Sequence, residues 1–307
     1  MARKDQGGDA QHDAAARSAT QPAQPHPEGG EAPTGTPHWR INLAKRVATG
    51  VPVFAAVLAL IAFAPLILQT LVVGAAGVYG MYEYIRMQEL GHGTRLPMIP
   101  LLVAAGLIGL GGMLGSASAL NAGLFAAAML ALWFSWFQAQ ADGEDAQRQA
   151  GLALAGFLLV PWLLTHAALL LALPAGRGFL AFVVVTVTLN DTLAYLVGTL
   201  AGRRLLLPAI SPRKTVEGAL GGLAGGVIGG LIAQAWVEGF SPWSLLLLGG
   251  LLAVVAQAGD LLESKLKRLN NAVQSGHCLP GHGGLLDRLD AYLLAAPVAY
   301  YLLLWTG

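Results

Sequence analysis

Nine apolar runs, each near the ~20 residues that carry an α-helix across a bilayer, follow one another between residues 49 and 306. They lie at about 49–64, 66–85, 98–117, 119–138, 151–173, 178–200, 215–237, 242–262 and 289–306. Lipid offers no hydrogen-bond partners, so a spanning segment must satisfy its backbone internally, and runs of this length do so as helices. The expected fold is all-α, a polytopic integral membrane protein with about nine transmembrane helices. Pro65 alone separates the first two runs, which leaves either a tight hairpin or one long kinked helix. With 55% hydrophobic and only 11% charged residues, a soluble fold is hard to sustain.

The few charges are informative by position. If the N-terminal side is cytoplasmic, nine spans put every lysine and arginine from Arg40 to Arg288 on that face except Arg177, which is the asymmetry of the positive-inside rule. The expected location is the inner (cytoplasmic) membrane, with the active site facing the cytoplasm. A net charge of +1 gives no bulk attraction for nucleic acid, which is excluded as a partner. The lone Cys278 excludes an intramolecular disulfide and argues against a cysteine-built zinc site.

Residues 1–38 lack apolar periodicity and are rich in Gly, Ala, Gln and Pro, so they are read as a disordered tail that stays on the protein. Residues 39–177 then form N-terminal transmembrane helices and 178–307 a C-terminal transmembrane catalytic region. Gly218, Gly222, Gly226 and Gly230 recur every four residues, a stripe that lets helices approach closely in lipid and needs no chemistry.

Three constellations carry chemistry. In "LNDTLAYLVGTLAGRR", Asp191 is a carboxylate inside an apolar span, which marks either a functional site or a structural partner of a basic residue. In "PAISPRKTVEGALGG", Ser211 and Pro212 read as the cap and first turn of a helix. Arg213 and Lys214 in that turn oppose the helix dipole, which makes sense if they bind an anion or act as topological anchors. The third is "GDLLESKLKRLNNAVQSGHCLPGHGGLLDRLD". There Asp260, Glu263, Ser264 and Lys267 form one helical stripe, and a turn containing His282, Gly283 and Gly284 offers backbone N–H groups to phosphate oxygens. Asp287 and Asp290 share a face with Arg288 between them, an oxygen-ligand set that suits Mg2+.

"GDLLESKLKR" followed by "LPGHGGLLDRLD" resembles the signature of the phosphatidate cytidylyltransferases, and "NDTLAYLVGTLAGRRLLLPAISPRKTVEG" resembles the segment that precedes it. The resemblance covers about Leu189 to Ala296. It implies an integral membrane enzyme that converts CTP and phosphatidic acid into CDP-diacylglycerol and pyrophosphate with Mg2+. By position, Asp260 and Asp287 would be metal-linked carboxylates, and Ser211, Lys214, Lys267, Arg268 and Arg288 phosphate or nucleotide contacts. His282 would orient phosphate, relay a proton, or simply shape the turn. The pattern departs at Val273 and Gln274, where the family carries a Lys-Asp pair. That leaves room for a related lipid phosphate as acceptor. The expected partners are CTP, phosphatidic acid or a related lipid phosphate, and membrane lipids, with a homodimer left open. A transporter or a catalytically silent scaffold are the rival classes.

Overall fold

The computed structural model describes residues 38–142, 146–272, 274–276 and 283–306. The expected tail, up to residue 37, lies outside the described residues, as do Val273, Cys278 and His282. Ten helices appear: α1 (His38–Phe63), α2 (Leu66–His92), α3 (Met98–Met113), α4 (Ala117–Asp142), α5 (Ala146–Phe157), α6 (Leu163–Ala172), α7 (Gly176–Ala201), α8 (Val216–Ala233), α9 (Pro242–Leu269) and α10 (Leu286–Thr306). All nine apolar runs lie in them, α5 and α6 together making one span. Among the described residues, six spans are long and apolar enough to cross a membrane, and Gly50–Phe63 and Met98–Met113 are shorter apolar helices. The protein is an all-α polytopic membrane protein.

The chain divides into two units, Met1–Pro52 and Val53–Gly307. The first contributes only the start of α1 to the described structure, and everything below concerns the second. Pro65 ends the ambiguity of the first two runs: α1 stops at Phe63, α2 begins at Leu66, and Gln69 Nε2 ties the turn by donating to the carbonyls of Ile61 (3.0 Å) and Ala64 (2.9 Å). Between α5 and α6 the expected single span widens into a π-helical turn at Leu158–Trp162. Pro161 inside it has no N–H to continue the α-helical ladder.

α6 is the most enclosed element, with every residue from Leu163 to Leu171 buried. It packs against α2, α3, α7 and α10. Leu169, Leu170, Phe179 and Phe182 are among the fully buried side chains there. By contrast α4 turns Phe125, Trp133, Trp136 and Phe137 outward, as a lipid-facing helix can.

α8 is wedged between α7 and α9, and its glycines make the fit. A Cβ at Gly225 would meet the Leu189 carbonyl oxygen of α7 at 2.5 Å, and one at Gly226 the Gly249 carbonyl oxygen of α9 at 2.5 Å. The expected stripe is present, and Gly221, Gly225 and Gly229 form a second one turned toward α7. Backbone therefore packs on backbone across three helices.

One expectation is corrected. Ser211 does not begin a helix: Ser211–Thr215 is strand β2, paired antiparallel with β1 (Leu205–Leu207) through Leu205↔Thr215 and Leu207↔Ser211. The helix begins at Val216, where Thr215 Oγ1 accepts the Gly218 N–H at 3.0 Å and Glu217 supplies the acid of the first turn. Glu217 also accepts the N–H groups of Arg203 (2.9 Å) and Arg204 (3.2 Å), so the hairpin is closed onto the helix start. With those bonds the sequence prefers a hairpin, and Arg213 and Lys214 sit on the strand that leads into α8 rather than in its first turn.

Candidate active site

α9 projects Glu263 and Lys267 from successive turns, and Lys267 binds two carboxylates at once. It pairs with Glu263 on its own helix and with Asp287 at the start of α10, Nζ to Oδ1 2.8 Å. Lys214 on β2 pairs with Asp260 of α9. Asp290 on α10 feels the charges of Asp260, Glu263 and Asp191, and Asp191 on α7 feels those of Asp260 and Lys214. Four elements thus converge, bringing five carboxylates (Asp191, Asp260, Glu263, Asp287, Asp290) against two ammonium groups (Lys214, Lys267). Asp191 is oriented by Asn190, whose Nδ2 donates to it at 2.9 Å while its own Oδ1 accepts from Gln257 at 2.8 Å.

Among the described residues no three His, Cys, Asp or Glu side chains are already arranged around a metal position. The lysines stand between the acids instead. A surplus of carboxylate over ammonium, all of it hard oxygen, is nevertheless the donor chemistry that Mg2+ takes.

Asp287 also organises the chain that leads into α10. It accepts from the Ser275 N–H (3.2 Å) and the Gly284 N–H (2.8 Å). Burial would push its carboxyl up, but Lys267 and the Gly284 N–H outweigh that and hold it below the ordinary carboxylate value. Gly283 has φ +83°, and a Cβ there would also fall 2.6 Å from Asp287 Oδ2, so both the turn and the carboxylate require glycine.

A second carboxylate, not picked out in the sequence, works beside it. Glu83 of α2 is 2% exposed and accepts from the N–H groups of Leu285 (2.9 Å) and Leu286 (2.7 Å) and from Ser275 Oγ (3.3 Å). A helix start leaves its first N–H groups unpaired, and this buried acid fills that role for α10. Glu83 and Asp287 together hold both Ser275 and the Gly284–Leu286 stretch.

The remaining candidates lie around this centre. Ser211 is half-buried at the end of the β1–β2 pairing, while Arg213 is exposed beside Lys214. Arg268 spans two elements, with Nε donating to the Ile210 carbonyl and Nη1 to the Ala272 carbonyl, both at 3.4 Å. Arg288 is exposed in the first turn of α10. His282 lies outside the described residues.

The sequence profile described as the cytidylyltransferase family matches residues 44–306. The chain belongs to that family. It is 33% identical over 285 residues to a phosphatidate cytidylyltransferase of Mycobacterium leprae, covering 87% of this chain and 89% of that protein. It is 41% identical over 132 residues to a phosphatidate cytidylyltransferase of Staphylococcus epidermidis, 43% of this chain and 51% of that one. It is also 37% identical over 151 residues to the uncharacterized protein YnbB of Escherichia coli, 48% of this chain and 51% of that one. In this cytidylyltransferase, then, the signature segments supply Asp191, Lys214, Asp260, Lys267 and Asp287 to one centre, while Glu83 arrives from α2, outside them. A lone acid in an apolar run was the available signal, the same rule that singled out Asp191.

Proposed function

We propose that the protein transfers the cytidylyl group of CTP to the phosphate of phosphatidic acid, giving CDP-diacylglycerol and pyrophosphate. A lipid phosphate oxygen forms the new bond to the α-phosphorus of CTP as the bond to the β-phosphate oxygen breaks, and pyrophosphate leaves in line. The observation that carries this reading is Lys267 held between Glu263 and Asp287, beside Lys214 on Asp260. Cations already oriented by carboxylates are fixed before reaction, which is where electrostatic stabilisation of phosphoryl-type transfer comes from.

Asp260, Asp287 and Asp290 would hold Mg2+, which when bound neutralises triphosphate charge. Lys214, Lys267 and Arg268 bind phosphate oxygens and stabilise the charge that develops on pyrophosphate. Arg213, Arg288 and Ser211 contribute at the rim, and the Gly283–Gly284 backbone lies beside the reacting phosphates. Asp191, steadied by Asn190 and Gln257, keeps Lys214 directed at the centre. The cationic hairpin and α9 end face the cytoplasm across the inner membrane, by the positional bias of lysine and arginine.

The test is radiolabelled CTP incubated with phosphatidic acid, Mg2+ and the purified protein. Formation of a labelled CDP-lipid with release of pyrophosphate is expected. Because Val273 and Gln274 depart from the signature that this segment resembles, other lipid phosphates belong in the same assay. A CDP-lipid from one of these alone reassigns the acceptor, and none from any of them overturns the enzyme reading.

A further inference from the structure

A cavity of about 700 Å3 opens beside the catalytic centre, between the second half of α2 and the chain that follows α9. Its wall includes Tyr79, Tyr82, Arg86, Asn271, Gln274 and Ser275. That size is within the range of small-molecule sites. We propose that this cavity receives the nucleoside of CTP, an inference that rests on the cytidylyltransferase reading and adds to it the part of the site that selects the base.

Charge decides which part of the substrate enters. Two charged side chains of opposite sign, Glu83 and Arg86, reach the described wall, so it carries no surplus of positive charge. Glu83 takes three hydrogen bonds from Leu285, Leu286 and Ser275, and Arg86 Nη1 is 2.9 Å from Glu89. A triphosphate or a lipid phosphate brings several negative charges, and the cations oriented for them are Lys214 and Lys267, on β2 and α9. The cavity is therefore matched to the uncharged part of a ligand.

Side-chain chemistry narrows this to a base. Tyr79 and Tyr82 lie with ring centroids 5.6 Å apart, inclined at 45°, and offer aromatic surface to a planar heterocycle. The amides of Asn271 and Gln274 carry both donors and acceptors, which the N4 amine, N3 and O2 edge of cytosine requires. The exposed rim residues Arg86, Asn271 and Gln274 are polar and Leu90 is apolar, an entrance suited to a water-soluble nucleotide more than to acyl chains. Position agrees as well. Ser275 in the wall donates its N–H to Asp287, so a nucleoside here leaves its α-phosphate next to that carboxylate.

The test is calorimetric binding of CTP, UTP and inorganic tripolyphosphate, with Mg2+, to the purified full chain and to its Tyr82→Ala and Gln274→Ala variants. Loss of stacking in Tyr82→Ala should weaken CTP on the order of tenfold. Gln274→Ala should reduce the preference for CTP over UTP, and neither should change tripolyphosphate binding. Gln274 is exposed, so that variant tests the proposal even if Tyr82→Ala does not fold. Unchanged CTP affinity in both variants, or an equal loss for tripolyphosphate, overturns the proposal while leaving the proposed reaction intact. A raised KM for the lipid phosphate with KM for CTP unmoved assigns the cavity to the lipid and also overturns it. A parent protein that binds no CTP at all sinks the reaction and the subsite together.

Discussion

At the scale of single residues, two carboxylates do unlike work although both touch Ser275. Glu83 is buried and meets only N–H and O–H donors, so its charge is spent on holding α10 in place. Glu83→Gln turns one of its two acceptor oxygens into an NH2 that faces backbone N–H groups, leaving a buried donor unpaired at a cost of about 1–3 kcal/mol. Thermal denaturation in detergent should show a lowered midpoint, with cytidylyl transfer falling in parallel; an unchanged midpoint would mean that the clamp is not formed in solution. Asp287→Asn differs, because the amide oxygen can still accept from Ser275 and Gly284 while the charge facing Lys267 disappears. Transfer should drop on the order of 100-fold with a smaller shift in melting, and wild-type turnover would require another set of ligands. Asp287 was legible because it sits in a run of polar and glycine residues. Glu83 was legible only as an acid within a lipid span, "YGMYEYIRM", and its role was not, because the groups it binds lie 192 to 203 positions away.

Among the elements, α8 sets the spacing of the two helices beside it that carry the candidate site. Its glycines let the α7 and α9 backbones close on it, which fixes how far Asp191 on one neighbour stands from Asp260 on the other. Gly226→Val would drive a branched side chain into the Gly249 carbonyl and the Ala253 methyl, both within 2.5 Å of the new Cβ. It should abolish transfer and lower the melting midpoint, whereas Leu220→Val on the exposed face of the same helix should leave both near the parent's. Turnover retained by Gly226→Val would show that the helices can part without harm to the site. Helices were readable here because apolar length alone specifies them in lipid. The hairpin was not: strands of three and five residues carry too little pattern, and Ser-Pro before a glycine-rich helix reads as a cap until Thr215 is seen to take that role.

For the whole molecule, the proposed orientation rests on where the cations are. In a background with Cys278→Ser, cysteines placed next to Arg204 and next to Arg268 should be shielded from an impermeant thiol reagent in intact cells, and one next to Arg177 should label. Labelling beside Arg268 would invert the topology and remove the case for a cytoplasmic site. Arg177 reaches the Ala62 carbonyl at the α1–α2 turn, 3.5 Å away, while Arg268 reaches the hairpin, so the two probes report on different ends of the spans. The hydrogen bonds that Glu83 accepts at the start of α10 have a further bearing on what can be inherited or engineered as a unit. The signature-rich half is not expected to be a self-sufficient module, since the acceptor for the first N–H of α10 is supplied from 203 residues upstream. Fragments ending at residue 142 and starting at residue 146 should each be inert alone and recover turnover when co-expressed, with α2 serving the other fragment as an internal cofactor.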